Sequence, residues 1–366
     1  MPKMEIHGTP DYAELEALGL APSDVVYFSS NINPYGPPPA VVEALAARVV
    51  PGQIALYPDR LSRRLSRRLA AYHDVPSDAI LVGNGTADLM WLLAIGLATA
   101  RKIVVLGPTF SEYENVASLM NAECVVVEHP GWVRRGEEFV QAERGLADVA
   151  DAIAHARPDL VFVCNPNNPT GRYLTPAELL TLHAAAPEAT WVVDEAYAEF
   201  AAQPWSATQW IEDGRWIVLR SMTKDFSLGG LRLGYLVAAP DQVAKLQKIQ
   251  PPWNVNTFAQ VAGEAAMDCL DWRLQTTSQL RAHVATLAVT LAGHGLRPEP
   301  SAVNFFLLPL ARSATEIRAG LLKQGLVVRD CTSFGLPNHI RIAVQQPHEN
   351  AKLATALIAA AQIPTA

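Results

Sequence analysis

Seven short apolar runs, each closing on loop-forming residues, constrain this chain more than any other feature. They are "AILVG", "RKIVVLGP", "ECVVVEHP", "DLVFVCNP", "TWVVDEAY", "WIVLRS" and "LGYLVA", separated by Ala/Leu-rich amphipathic segments. Such short β-branched runs suit strands buried on both faces, and their alternation with helical segments predicts an α/β domain on a mostly parallel sheet. Most of them lead at once into Gly, Pro, Asn, Asp or Ser. Those loops gather beyond the strands' carboxyl ends, where open α/β sheets bind ligands.

After about residue 245 the pattern changes to a long helical stretch, "AQVAGEAAMDCLDWRLQTTSQLRAHVATLAVTLAGHG", followed by the strand-like "NFFLLPL", "LVVRD" and "HIRIAV". A smaller α+β domain is predicted over residues 245–366. The opening "SSNINPYGPPPAVVEAL" resists helix until after Pro39, because each Pro removes a donor and restricts its predecessor. The opening reads as an ordered arm or linker; residues 1–42 are expected to be an N-terminal arm of the small domain, and 43–244 the large one.

With 366 residues, half of them apolar, the chain can bury one large core and one smaller one. A formal charge of -7 lacks the cationic footprint that nucleic acid or an anionic membrane requires. Cys124, Cys164, Cys269 and Cys331 form no CxxC pair, so neither a disulfide framework nor a zinc site is expected, and a cytoplasmic location is. The apolar run Leu89 to Ala100 is too short to span a bilayer. HExxH, Gly-x-Ser-x-Gly and Walker patterns are missing.

The chemistry-bearing residues sit in the predicted loops. Lys224 follows "WIVLRS" at the mouth of the sheet, where an unpaired ammonium is expensive to desolvate. Such a lysine suits a nucleophile of depressed pKa that forms a Schiff base. Ser221 and Thr223 add donors, Gly229 and Gly230 admit a close ligand, and Arg232 offers a fork for phosphate oxygens. The plain alternative is a surface turn.

Asp194 closes another strand; it reads as a helix cap or as the anion that keeps a pyridine nitrogen protonated. Asn168, in "VCNPNNPTGRYL", could donate to a phenolate oxygen or simply shape a turn. The backbone NH groups of Gly85, Thr86 and Ala87 open a helix and could bind phosphate, although Asp88 breaks the GxGxxG pattern. Tyr113, in "GPTFSEY", stacks on a flat ring or packs in the core. Arg341 lies in a strand pattern and needs an anionic partner, either a substrate carboxylate or a structural acid.

Taken in order, GNGTAD, PTFSEY, NPNNPTG, DEAY, SMTK and an Arg eight positions beyond the Lys resemble the fold-type I pyridoxal-phosphate enzymes of the class I/II aminotransferase group. Within it the chain looks most like the branch holding histidinol-phosphate aminotransferase and threonine-phosphate decarboxylase. The likeness spans "SSNINPYGPP" to "HIRIAVQQPHEN". It implies an aspartate aminotransferase-like fold with a seven-stranded sheet, pyridoxal 5'-phosphate on Lys224, and Asp194 at the ring nitrogen. It also implies Asn168 and Tyr197 at the phenolic oxygen, Tyr113 on the ring face, and Gly85, Thr86, Ala87, Ser221, Thr223 and Arg232 around the phosphate. Arg341 would bind the substrate carboxylate, Arg329 a second anion, and Asn33 the substrate. Tyr57 matches a tyrosine that reaches a neighbour's cofactor, so a homodimer is implied.

The reaction follows from which bond at the substrate's α-carbon the protein holds perpendicular to the ring. "PPWNVNTFAQVAG", "RSMTK" and "VVRDCTSF" look closer to the decarboxylases; Tyr35 and Tyr197 look closer to the aminotransferases. Two departures stand out: "HGT" at His7 to Thr9 differs from the decarboxylases' HGG, and Asp225 after the lysine matches neither group. The expectation is an aminotransferase using an amino donor and a 2-oxo acid acceptor, with the decarboxylase as alternative and a non-catalytic ligand-binding homologue as the remote one.

Overall fold

The computed structural model describes residues 12–99 and 101–361. The seven apolar runs supply one sheet: β1 (Ile80–Gly83), β2 (Lys102–Gly107), β3 (Glu123–Glu128), β4 (Leu160–Cys164), β5 (Thr190–Asp194), β6 (Trp216–Ser221) and β7 (Gly234–Ala238). Their spatial order is β1-β7-β6-β5-β4-β2-β3, with β7 antiparallel to both neighbours and the other pairs parallel.

Alternate residues of the strands enter different cores. Val104, Val161, Val163, Val193 and Val218 face one layer, and Ile103, Val105, Phe162, Val192 and Ile217 the other. Burial of each such side chain stabilises by roughly 1.5–3 kcal/mol, so both faces demand helical cover. That two-sided demand explains runs without polar alternation.

Four helices matter to the site: α1 (Arg63–His73), α2 (Gly85–Leu93), α3 (Thr257–Ala266) and α4 (Leu270–Ala292). The long helical stretch divides at Met267–Cys269, where Asp268 pairs with Arg68 of α1. Asn256 caps α3 by accepting from the Ala259 NH at 2.8 Å. Although it follows residue 245, α3 buries Ala259, Ala262 and Ala266 in a core shared with the sheet. Among the described residues no helix is long and apolar enough to cross a membrane.

The second body is a three-stranded antiparallel sheet, β8 (Phe305–Pro309), β9 (Arg329–Asp330) and β10 (His339–Ala343), with β10 central. Phe305, Phe306, Ile340 and Ile342 pack with Leu280 and Leu287 of α4 and with Phe28. Val26–Tyr27 pairs with Leu326–Val327, and the Ala343 NH donates to the Phe28 carbonyl at 2.8 Å. The N-terminal segment is thereby sewn to this second body before it crosses toward the large sheet.

Candidate active site

Sheet register brings the loops together. Cys164 pairs with Asp194, Asp194 with Leu219, and Gly234 with both Ser221 and Gly83. The segments beginning at Asn84, Asn165, Glu195 and Met222 therefore leave neighbouring strands on one edge. Asp194 is buried there: its Oδ2 accepts from the Tyr113 hydroxyl at 2.8 Å and its Oδ1 from the Ala196 NH at 3.0 Å. Burial raises its pKa, opposed by those two hydrogen bonds and by the Lys224 charge.

Lys224, half-buried in the loop after β6, has no hydrogen-bond or ion-pair partner for its Nζ among the described residues. Its pKa falls from 10.5 to about 8, chiefly through burial and then through the Arg341 and Arg232 charges. A neutral amine is thus within reach near physiological pH.

Arg341, on β10, is 5% exposed and forms no ion pair among the described residues. One Nη donates to the Asn168 Oδ1, the other to the Ser29 carbonyl at 2.7 Å, and the guanidinium lies 5.3 Å from the Phe305 ring. Its Nε is buried without a partner, and burial lowers its pKa. A desolvated guanidinium with an open donor has capacity left for an anionic partner. Register sets Arg329 opposite it, buried over Phe334 with Nη2 donating to Ser333 Oγ at 2.8 Å, so Arg329 is not a solvated surface charge.

A second group of donors converges at the start of α2. Gly85 has φ +78°, and a Cβ there would lie 2.8 Å from Arg232 Nη2; likewise a Cβ on Gly234 would lie 2.8 Å from the Thr86 nitrogen. These glycines let the first turn of α2, the exposed Arg232 and the Ser221–Thr223 hydroxyl pair, 2.7 Å apart, converge. Exposed Ala87 and half-buried Thr86 lie in that turn. Asp88 ties the turn down, accepting from the Asn84 NH at 3.0 Å and from Asn254 Nδ2 at 2.7 Å, which explains an acid where a nucleotide fingerprint has glycine.

A family model described as aminotransferase class I and II matches residues 23–357. The chain belongs to this family. It is 37% identical to a histidinol-phosphate aminotransferase from Symbiobacterium thermophilum over 98% of this chain and 96% of that protein. Among solved structures it is similar to the histidinol-phosphate aminotransferase from Clostridium acetobutylicum, at 27% identity and a TM-score of 0.79, covering 91% of this chain and 98% of that one. It is also similar to the L-threonine-O-3-phosphate decarboxylase from Porphyromonas gingivalis, at 26% identity and a TM-score of 0.77, covering 90% and 97%.

In this aminotransferase, three expectations about site residues need correcting. Tyr113 does not offer its ring: the helix Glu112–Leu119 turns it into the core, 1% exposed and stacked on Phe162 at 5.2 Å, with its hydroxyl on Asp194. The half-buried aromatic of the same turn is Phe110, which meets Tyr113 edge-on at 5.8 Å. Asn33 is committed to its own chain, donating to the Asp225 carbonyl at 3.0 Å and Thr276 Oγ1 at 2.9 Å and accepting from the Tyr35 NH at 3.1 Å. Gly229 makes room for Ile32 rather than a ligand, since a Cβ there would sit 2.7 Å from Ile32 Cδ1.

Asn168 and Tyr197 both lie beside Arg341. The Asn168 carbonyl accepts from Arg341, while Asn165 and Asn167 serve the loop itself: Asn165 Oδ1 accepts from the Leu174 NH, and Asn167 bonds Thr109, Thr170 and the Pro108 carbonyl. Tyr197, edge-on to Phe305, accepts from Asn31 Nδ2 at 3.2 Å, and burial pushes its pKa up to about 12. Tyr57 is 79% exposed and lies 4.8 Å from Trp253. His7 to Thr9 lie outside the described residues.

Proposed function

We propose that this aminotransferase carries pyridoxal 5'-phosphate and moves the amino group of histidinol phosphate to a 2-oxo acid. The observation that carries the reading is an excess of positive charge: Lys224, Arg232 and Arg341 gather around Asp194, a carboxylate with no ion pair among the described residues. A phosphorylated cofactor and anionic substrates supply the missing negative charge. The residues fit that cofactor. Arg232, the Ser221 and Thr223 hydroxyls and the NH groups of Gly85, Thr86 and Ala87 would hold its phosphate, and Asp194, fixed by Tyr113, would hold the proton on its ring nitrogen. Asn168 and Tyr197 would face its phenolic oxygen, and Phe110 would cover its ring.

Bound there, the cofactor would supply an electron sink for the carbon that bears the substrate's amine. Lys224 would anchor it and, once displaced by substrate, would serve as base and acid at that carbon, for which a pKa of about 8 is well matched. Arg341, with its open Nε, would take the carboxylate of the 2-oxo acid, and Arg329 beside it would add positive field for a phosphate. Similarity to the Symbiobacterium thermophilum protein supports the choice of substrate. Exposed Ile54, Leu56, Tyr57 and Trp253 give a second copy an apolar surface, through which Tyr57 would reach the neighbour's site.

A second reading, loss of carbon dioxide from O-phosphothreonine, has the likeness to the Porphyromonas gingivalis decarboxylase behind it. Mass spectrometry of products separates the two. Glutamate and the imidazole ketone from histidinol phosphate plus 2-oxoglutarate are expected. Aminopropanol phosphate from O-phosphothreonine would replace the aminotransferase reading with the decarboxylase.

A further inference from the structure

Alternate residues of one short segment each touch a different group of the site. The carbonyl of Ser29 accepts from Arg341 at 2.7 Å, Asn31 Nδ2 donates to the Tyr197 hydroxyl at 3.2 Å, and the Asn33 NH donates to the Lys224 carbonyl at 2.9 Å. Asn33 Nδ2 also holds the next carbonyl, that of Asp225, at 3.0 Å. All three residues are at most 2% exposed, whereas Ser30 and Ile32 between them are half-buried. Ile32 fills the space above Gly229, beyond the lysine in the same loop.

The segment is itself anchored at its back. Asn304 Nδ2 donates to the Asn31 carbonyl at 3.3 Å, the Phe28 carbonyl accepts from β10, and Asn33 Nδ2 reaches Thr276 on α4 at 2.9 Å. The second body thus grips the main chain of the lysine loop, which belongs to the large sheet. Arg341 also donates to Asn168 Oδ1, and Arg273 of α4 reaches Asp225 at 3.5 Å; to these side-chain ties the segment adds a direct hold on the main chain at Lys224 and Asp225.

We propose that Ser29–Asn33 is a positioning strap: Asn33 fixes the Lys224 main chain, Asn31 fixes the Tyr197 hydroxyl, and both are thereby set in register with Arg341. Neither asparagine touches the reacting atoms. They act through Lys224 and Tyr197, so the inference rests on the roles proposed for those two and not on the identity of the substrate. Misplacement by about 1 Å can cost an enzyme on the order of 100-fold in rate, which makes such a register worth three buried polar residues.

The test has two arms. In the first, the full chain is freed of cofactor and acylated at Lys224 across a pH series, with modification read by peptide mass spectrometry. In the wild type the midpoint is expected near the amine's pKa of about 8; in Asn33→Ala, which keeps the backbone bond to the Lys224 carbonyl but loses the side-chain bonds to the Asp225 carbonyl and Thr276, it is expected to move upward by about one pH unit as the loop relaxes toward water. Turnover by the cofactor-loaded variant should fall roughly 10- to 100-fold in kcat with little change in KM. An unchanged midpoint and kcat alongside a lowered Tm would make Asn33 a structural residue and overturn the proposal. Should Asn33→Ala fail to fold, Thr276→Val loosens the same clamp and is read the same way.

The second arm is a double-mutant cycle. Asn31→Ala should slow the enzyme in the wild-type background and do nothing further in Tyr197→Phe, because its effect runs through that hydroxyl. Additive losses would sink the role of Asn31. A wild type that ignores histidinol phosphate would defeat the substrate reading alone, since acylation needs no substrate.

Discussion

Lys224 and Asp225 are adjacent in the chain yet belong to opposite kinds of buried charge. Behind Asp225 lies an ion-paired network: Arg220 bonds Glu195 at 2.8 Å and also Glu199, and Arg273 reaches Glu199 at 3.1 Å and Asp225 at 3.5 Å. Ser206 Oγ and the Ala207 NH complete Glu195, the Tyr72 hydroxyl donates to Glu199, and Arg273 lies 5.3 Å from both the Tyr72 and Phe226 rings. Around Lys224 the reverse holds, with cations outnumbering carboxylates and the Arg341 Nε unmet. A charge network that serves the fold pairs its members within the chain, although here three carboxylates share two guanidiniums and the buried Asp225 Oδ1 meets no hydrogen-bond donor among the described residues. One that serves chemistry is left unbalanced for a ligand to complete.

Substitutions in the two clusters should therefore fail differently. Lys224→Ala should lower turnover by at least about 10⁴-fold while leaving Tm intact or raised, because a half-buried cation with no partner among the described residues is removed. A coloured, active variant would move the reactive amine elsewhere. Arg220→Met should do the opposite, lowering stability by about 3–5 kcal/mol in urea unfolding, because Glu195 and Glu199 are left buried without Arg220. A loss below about 1 kcal/mol would show that these ion pairs do not serve the fold.

Arg341→Ala should raise KM for 2-oxoglutarate by about 100-fold, equivalent to losing one buried charge-assisted contact. An equal loss for an amine without a carboxylate would mark the effect as damage to the Asn168 and Ser29 contacts. The smallest effect belongs to Asp225, whose pKa is raised to about 6 by burial, opposed by Arg273. A folded pKa above the unfolded value contributes stability that is full in acid and lost as pH rises through about 6. Asp225→Asn should accordingly raise stability at pH 8 by about 1–2 kcal/mol and leave it unchanged near pH 4, a difference read from Tm at the two pH values.

The sheet was legible because its strands are buried on both faces, so "IVVL" and "LVFVC" carry no competing helical period. Lys224, Asp194 and Arg341 were legible because a charge beside an apolar run stands out against the cost of burying it. The Arg220 network hides in the same strand as the reading of "WIVLRS", since sequence shows no carboxylate near it; the partners arrive from Glu195, Glu199 and, through Arg273, α4. Choosing between Phe110 and Tyr113 needs the phase of the following helix, which the turn residues do not set. The role of Asn33 is invisible for another reason: a Pro-rich segment has no periodicity, and its partners lie 192 and 243 residues away.

The contrast between the two clusters rests on Lys224 being the amine that the unbalanced site keeps reactive. Borohydride reduction of the cofactor-loaded protein, followed by peptide mapping, tests it most directly. The account predicts the cofactor fixed to one peptide, the one containing Lys224. Fixation at another lysine, or none, would contradict it.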